Sequence, residues 1–226
     1  MAWAVMRPSG MGDYQPFGSF VGWREARERY FWTEMSDAEK IAQGMKVDEY
    51  SGLAFTRKFD EDKGLLAPQE LPREFRTDKT ERNLASWILP AGILAVDGAM
   101  KEIIERLEPG VHQFWPMTVS MPKDQVYPRD FHGLVIHRHL NAFLPEASDR
   151  ECWSGGEIYP GVILYRIRES KAGCAGIALS KAVTGGAHLW RDQQITGGQI
   201  FMSDALQAEI AKAGLRMPKQ YKVKEV

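Results

Sequence analysis

The stretch that most restricts the fold lies near the end of the chain. Leu189-Trp190-Arg191-Asp192 and Gln199-Ile200-Phe201-Met202 flank a Thr196-Gly197-Gly198 turn, and the second run leads straight into Ser203-Asp204-Ala205-Leu206. Two strand-like runs joined by a short glycine-containing loop predict a hairpin. Ser203 then caps a helix by accepting from its first free amides. Leu206, Ile210 and Ala213 recur at helical spacing as far as Gly214, a residue type at which helices commonly stop. The unit is scaffold rather than chemistry.

The same grammar appears earlier. Gly92-Ile93-Leu94-Ala95-Val96 is a short apolar run, Asp97 is a good cap, and Met100, Ile103, Ile104 and Leu107 follow at i, i+3, i+4 and i+7 before Pro109-Gly110. Laying Asp97 on Ser203 sets Leu94 on Ile200, Val96 on Met202, Met100 on Leu206 and Ile104 on Ile210. Either an old duplication or two independent units obeying the same rules produces this correspondence.

Elsewhere the chain alternates. Val111, Gln113, Trp115 and Met117 share one strand face and His112 and Phe114 the other; Phe131 to Leu140 and Gly161 to Arg168 alternate in the same way, with Ile163, Tyr165 and Ile167 expected inward. Clean alternation without strict strand–helix–strand order predicts an α+β fold, an antiparallel sheet with packed helices. Residues 1–87 read as an α-rich subregion: a helix with Trp23, Ala26 and Tyr30 on its apolar side, then a capping box at Ser36-Asp37-Ala38-Glu39. From Thr56 to Asn83 half the residues are charged and apolar ones are sparse, which predicts a long surface loop or linker. Residues 88–226 form the second, α+β domain. Lys219, Lys222 and Lys224, interleaved with Tyr221 and Val223, suit an edge strand or solvated tail.

A net charge of -1 over 226 residues provides no global field to draw in nucleic acid or an anionic membrane. The first residues lack the basic start and apolar run of a secretory signal, and no stretch approaches the ~20 apolar residues that span a bilayer. Cys152 and Cys174 make no disulfide framework. A cytoplasmic protein is expected.

Candidates for chemistry are few. His137 and His139 share one face if Phe131 to Leu140 is a continuous strand, and His132, Glu151 or Cys152 would have to complete a metal site. An exposed polar strand face explains the pair without a metal. Cys174 sits in Gly173-Cys174-Ala175-Gly176 with no base nearby in sequence, so an idle thiol is the expectation. The Gly-Gly pairs belong to no phosphate loop.

Gly110-Val111-His112-Gln113-Phe114-Trp115-Pro116, and Leu189-Trp190-Arg191-Asp192 leading into Phe201-Met202-Ser203-Asp204-Ala205-Leu206, resemble the immunity-protein-eleven family, with Leu140-Asn141-Ala142-Phe143 and Ser148 fitting a weaker central stretch. The resemblance covers roughly residues 88–217, residues 1–87 matching poorly. It implies a bacterial antidote encoded beside a secreted polymorphic toxin, several such toxins resembling nucleases. The residues that carry the family pattern are His112, Gln113, Phe114, Trp190, Arg191, Ser203 and Asp204. The expected partner is therefore a cognate toxin protein, with no catalytic residue, no cofactor, no metal, no direct nucleic acid and no membrane. Asp60-Glu61-Asp62, the densest acidic cluster, and Arg191 are the candidate toxin contacts, because an acidic patch complements a nuclease's basic groove. A small metal-dependent hydrolase using His137 and His139, or a non-catalytic adaptor module, are the rival readings.

Overall fold

A computed structural model of the chain describes residues 1–8, 10–61 and 64–226. Among these, strands assemble into a seven-stranded sheet, a five-stranded sheet, a three-stranded sheet and a two-stranded pairing. The fold is α+β: most strand pairs are antiparallel, and helices do not alternate with parallel strands.

The hairpin forms as its sequence dictates. Leu189–Asp192 pairs antiparallel with Ile200–Ser203, the Ser203 hydroxyl accepts from the Leu206 amide, and the helix Asp204–Lys212 follows. The earlier unit repeats this arrangement over a shorter strand, because a tight turn at Pro90–Gly92 delays it: strand Ala95–Asp97, Asp97 accepting from the Met100 amide, helix Gly98–Leu107. Gly110 and Gly214 take left-handed conformations after the two helices, with φ of 69° and 64°.

The two units also have equivalent neighbours. The Asp97 amide donates to the Ser86 carbonyl on one flank and the Gly98 amide to Asp130 on the other; Ser203 donates likewise to His188 and Asp204 to Met1. Trp87 thus stands to Val96 as Leu189 stands to Met202. All the superposed pairs meet in one core, where Leu94, Val96, Met100 and Ile104 pack with Ile200, Met202, Leu206 and Ile210. The helices contact each other, and each terminus reaches across to the other unit's flanking strand. The Arg216 carbonyl accepts from the Ser86 and Trp87 amides, while the Glu108 carboxylate accepts from those of His188 and Leu189. Each large apolar side chain buried here stabilises by about 1.5–3 kcal/mol.

The first strand, Ala2–Val5, lies inside the five-stranded sheet, between Ile200–Ser203 and the lysine-flanked edge strand Gln220–Lys222. That sheet is covered on both faces. Successive side chains alternate, so Met202 enters the core shared with the helices while Phe201 joins Trp190, Phe143 and Ile177 on the other side.

Four local expectations change. The charged stretch from Thr56 to Asn83 is not a surface loop: Phe59, Leu66 and Phe75 are buried, Glu74–Thr77 is a strand of the seven-stranded sheet, and Lys58 and Glu70 form a buried ion pair. A few well-placed anchors outweigh a polar average. In the helix Trp23–Thr33 the buried positions are Trp23, Arg27 and Phe31, because the Arg27 guanidinium lies 3.6 Å over the Trp23 ring and carries its alkyl stem inward. The run from Phe131 to Leu140 splits: Phe131–Val135 belongs to the seven-stranded sheet and His139–Leu140 to the five-stranded one, the chain crossing between them. Finally, Ile163 is 42% exposed rather than inward, since the hairpin Trp153–Tyr159 and Val162–Ile167 is attached to the next strand only at Tyr165 and Arg166.

Candidate functional site

Trp190 and Arg191 are neighbours on one strand and leave it on opposite faces. Trp190 is buried and stacks on Phe201, ring centroids 6.0 Å apart. Arg191 is also buried, at 5% exposure. Its Nη1 donates to the Gly198 carbonyl at 2.6 Å and its Nη2 pairs with Asp60 Oδ1 at 2.8 Å, while its Nε has no acceptor. Burial pulls the guanidinium pKa below its ordinary value, Asp60 opposes that shift, and the nearby Arg7 adds to it.

The fold therefore joins two features that stand 131 positions apart in sequence: the acidic cluster and the family-pattern arginine. Asp60 is a half-exposed counter-ion, 47% accessible, rather than an isolated acid. Asp60 and Glu61 border a cleft of about 790 Å³, together with Arg57, His139, Leu164 and Gln193. Asp62, the third acid of the cluster, lies outside the described residues.

The remaining family-pattern side chains act as braces. Gln113 clamps the Leu66 backbone, its amide donating to the carbonyl and its oxygen accepting from the N–H, both at 2.9 Å. Phe114 packs against the main core with Lys101 Nζ 5.6 Å from its ring. Ser203 caps its helix and contacts His188 Nδ1 at 2.8 Å. Asp204 accepts from Trp3 Nε1 at 2.7 Å. His112 is buried and lies 2.8 Å through Nε2 from Glu108, and its Nδ1 accepts from the His137 amide; the neutral Nε2–H tautomer satisfies both contacts.

Glu108 escapes sequence reasoning. It also pairs with Arg138 at 2.8 Å, so one carboxylate ties the end of the helix Gly98–Leu107 to His112, the inter-sheet crossing and the start of Leu189–Asp192. Burial alone raises its pKa; the donors, His112 foremost, bring it below the ordinary value. One clue was available: an acid at a helix C-terminus faces the negative end of the dipole, so it needs another partner. Asp192 is a second such hub, accepting from the amides of Ala142, Phe143 and Gln194. That contact ties Ala142 and Phe143 to the end of the Leu189–Asp192 strand.

The chemical candidates stay apart. His137 and His139 do not share a continuous strand face, because the chain changes sheets between Val135 and His139. Nε2 of His139 lies 3.0 Å from the Ile136 carbonyl. Among the described residues no group of three or more His, Cys, Asp or Glu is arranged to hold a metal ion. Cys174 is buried, and burial pushes its thiol up to about 11, far from the range of a reactive thiolate. No helix is long and apolar enough to cross a membrane among the described residues.

The sequence profile of the immunity protein family (Imm11) matches residues 29–225. This extends well into the N-terminal part, beyond the 88–217 of the motif resemblance, in keeping with the Gln113–Leu66 and Arg191–Asp60 contacts that bind that part to the rest. No curated protein matches the chain significantly.

Proposed function

Because the chain belongs to the immunity protein family (Imm11), we propose that it binds and neutralises a cognate secreted bacterial toxin of the nuclease class in the cytoplasm, by covering the toxin's active site and without catalysis of its own. The toxin seats on the 790 Å³ cleft. What carries this choice is the convergence there of Asp60 and Glu61 with Gln193, which continues the family's Trp190-Arg191 strand. Acidic groups at the mouth complement the basic groove that a nuclease presents to its substrate.

A stable complex buries about 800 Å² on each partner, so surface around the cleft takes part as well. Leu164 on its wall leads into the projecting hairpin, whose Tyr159 is 70% exposed with Val162 and Ile163 beside it. Exposed apolar side chains, an aromatic among them, on a strand pair anchored at its base by Trp153, Tyr165 and Phe143 suit a contact surface. The test is a double variant, Glu61→Lys with Gln193→Arg, both exposed positions. It should keep its melting temperature and lose toxin affinity and growth protection together. Unchanged affinity and protection would rule this cleft out.

A further inference from the structure

The Thr196–Gly198 turn and Asp60 border a second cavity, of about 100 Å³. A single water needs only ~10–15 Å³ on this measure, so the space admits a small molecule or the end of a side chain. Val5, Trp87, Leu89 and Ile200 make an apolar wall. Three arginines, Arg7, Arg166 and Arg191, line it against two carboxylates, Asp60 and Glu169. One of those carboxylates is already engaged by Arg191.

Like charges meet here, for Arg7 stands near enough to disfavour the Arg191 charge. An anion among the three guanidinium groups that line the cavity relieves that repulsion. A planar guanidinium fork matches a carboxylate in shape, and the apolar wall suits an alkyl stem behind it.

We propose that this cavity binds a carboxylate carried on a short apolar stem, held by Arg191 at the base and by Arg7 and Arg166 at the rim. Its source is either a free organic acid or an acidic residue presented by a protein partner. The cavity adjoins the proposed toxin-binding cleft, sharing Asp60 and the Thr196-Gly197-Gly198 turn with it, but the assignment does not rest on that reading.

The probe is butyrate, titrated into the full chain by NMR or calorimetry, with butyramide as the uncharged control. Saturable binding of butyrate but not butyramide is expected. Arg7→Gln and Arg166→Gln, both exposed, should each weaken it at least about fivefold at unchanged melting temperature. Arg191→Lys keeps the charge and loses the fork, and should weaken it further; the two rim variants remain decisive if that protein is unstable. Butyrate binding no tighter than butyramide, indifference to both rim variants, or equally tight binding of inorganic phosphate would overturn the proposal. With the toxin in hand, competition by butyrate identifies the partner's carboxylate as the occupant. Simultaneous binding of butyrate and toxin identifies a free acid.

Discussion

Glu108 shows how a single side chain decides which parts of this chain touch. Its carboxylate receives His112, Arg138 and two backbone amides in a site shielded from water, and removing one member of a buried charged network costs about 3–5 kcal/mol. Glu108→Gln should therefore lower stability by that order at neutral pH, read from urea midpoints. Since the folded-state pKa of Glu108 lies below the ordinary 4.5, its advantage is complete above that value and disappears as the pH falls through the folded value. The stability gap between wild type and Glu108→Gln should accordingly narrow on acidification; a gap constant from neutral pH to below the folded pKa would refute the role. Gly133 makes a second residue-scale prediction. A Cβ there would fall 2.0 Å from the Trp115 ring, which lies across it from the paired strand, so Gly133→Ala should destabilise by at least about 1–3 kcal/mol. The buried Cys174 thiol should react with a thiol reagent only at the rate of unfolding, and fast labelling of the native protein would contradict its raised pKa.

At the scale of elements, the local rules were written in the sequence and the long-range partners were not. Ser203, Asp97 and Ser36 act as caps because a short oxygen-bearing side chain before an apolar helical stripe has one good use. The α+β class and the repeated strand–cap–helix unit followed from periodicity for the same reason. By contrast, nothing in the local pattern says that Asp60 meets Arg191, that Gln113 clamps Leu66, or that a strand read as running from Phe131 to Leu140 changes sheets in the middle. Those facts arise from tertiary packing, to which alternation is blind. The two like units make a specific expectation: Met100→Ala and Leu206→Ala occupy equivalent places in one core, so each should cost about 2–5 kcal/mol, and together they should depart from additivity. Strict additivity in the double variant would mean that the units do not share a core. For the projecting hairpin the expectation is the reverse. Tyr159→Ala should leave urea unfolding unchanged and weaken toxin binding by about 2 kcal/mol or more, as loss of an interface anchor does.

Taken as a whole molecule, the protein has a two-sided five-stranded sheet that takes in the first strand, Ala2–Val5, and the late strand Gln220–Lys222. The part before residue 88 contributes that sheet's strand Ala2–Val5, the buried Lys58–Glu70 pair and the Asp60 counter-ion, so the candidate cleft draws its walls from both parts of the chain. Walls built from packed sheets suit recognition by a preformed surface, in which little backbone moves on binding. Neutralisation by coverage has a signature that catalysis lacks: it consumes one antidote per toxin. The most direct test is to titrate the purified chain against its proposed cognate toxin and follow the toxin's own activity. Activity should fall linearly and vanish near one chain per toxin, with an isolable complex at that point. Activity that persists at excess chain, or that a trace of the chain abolishes by turnover, would contradict the account.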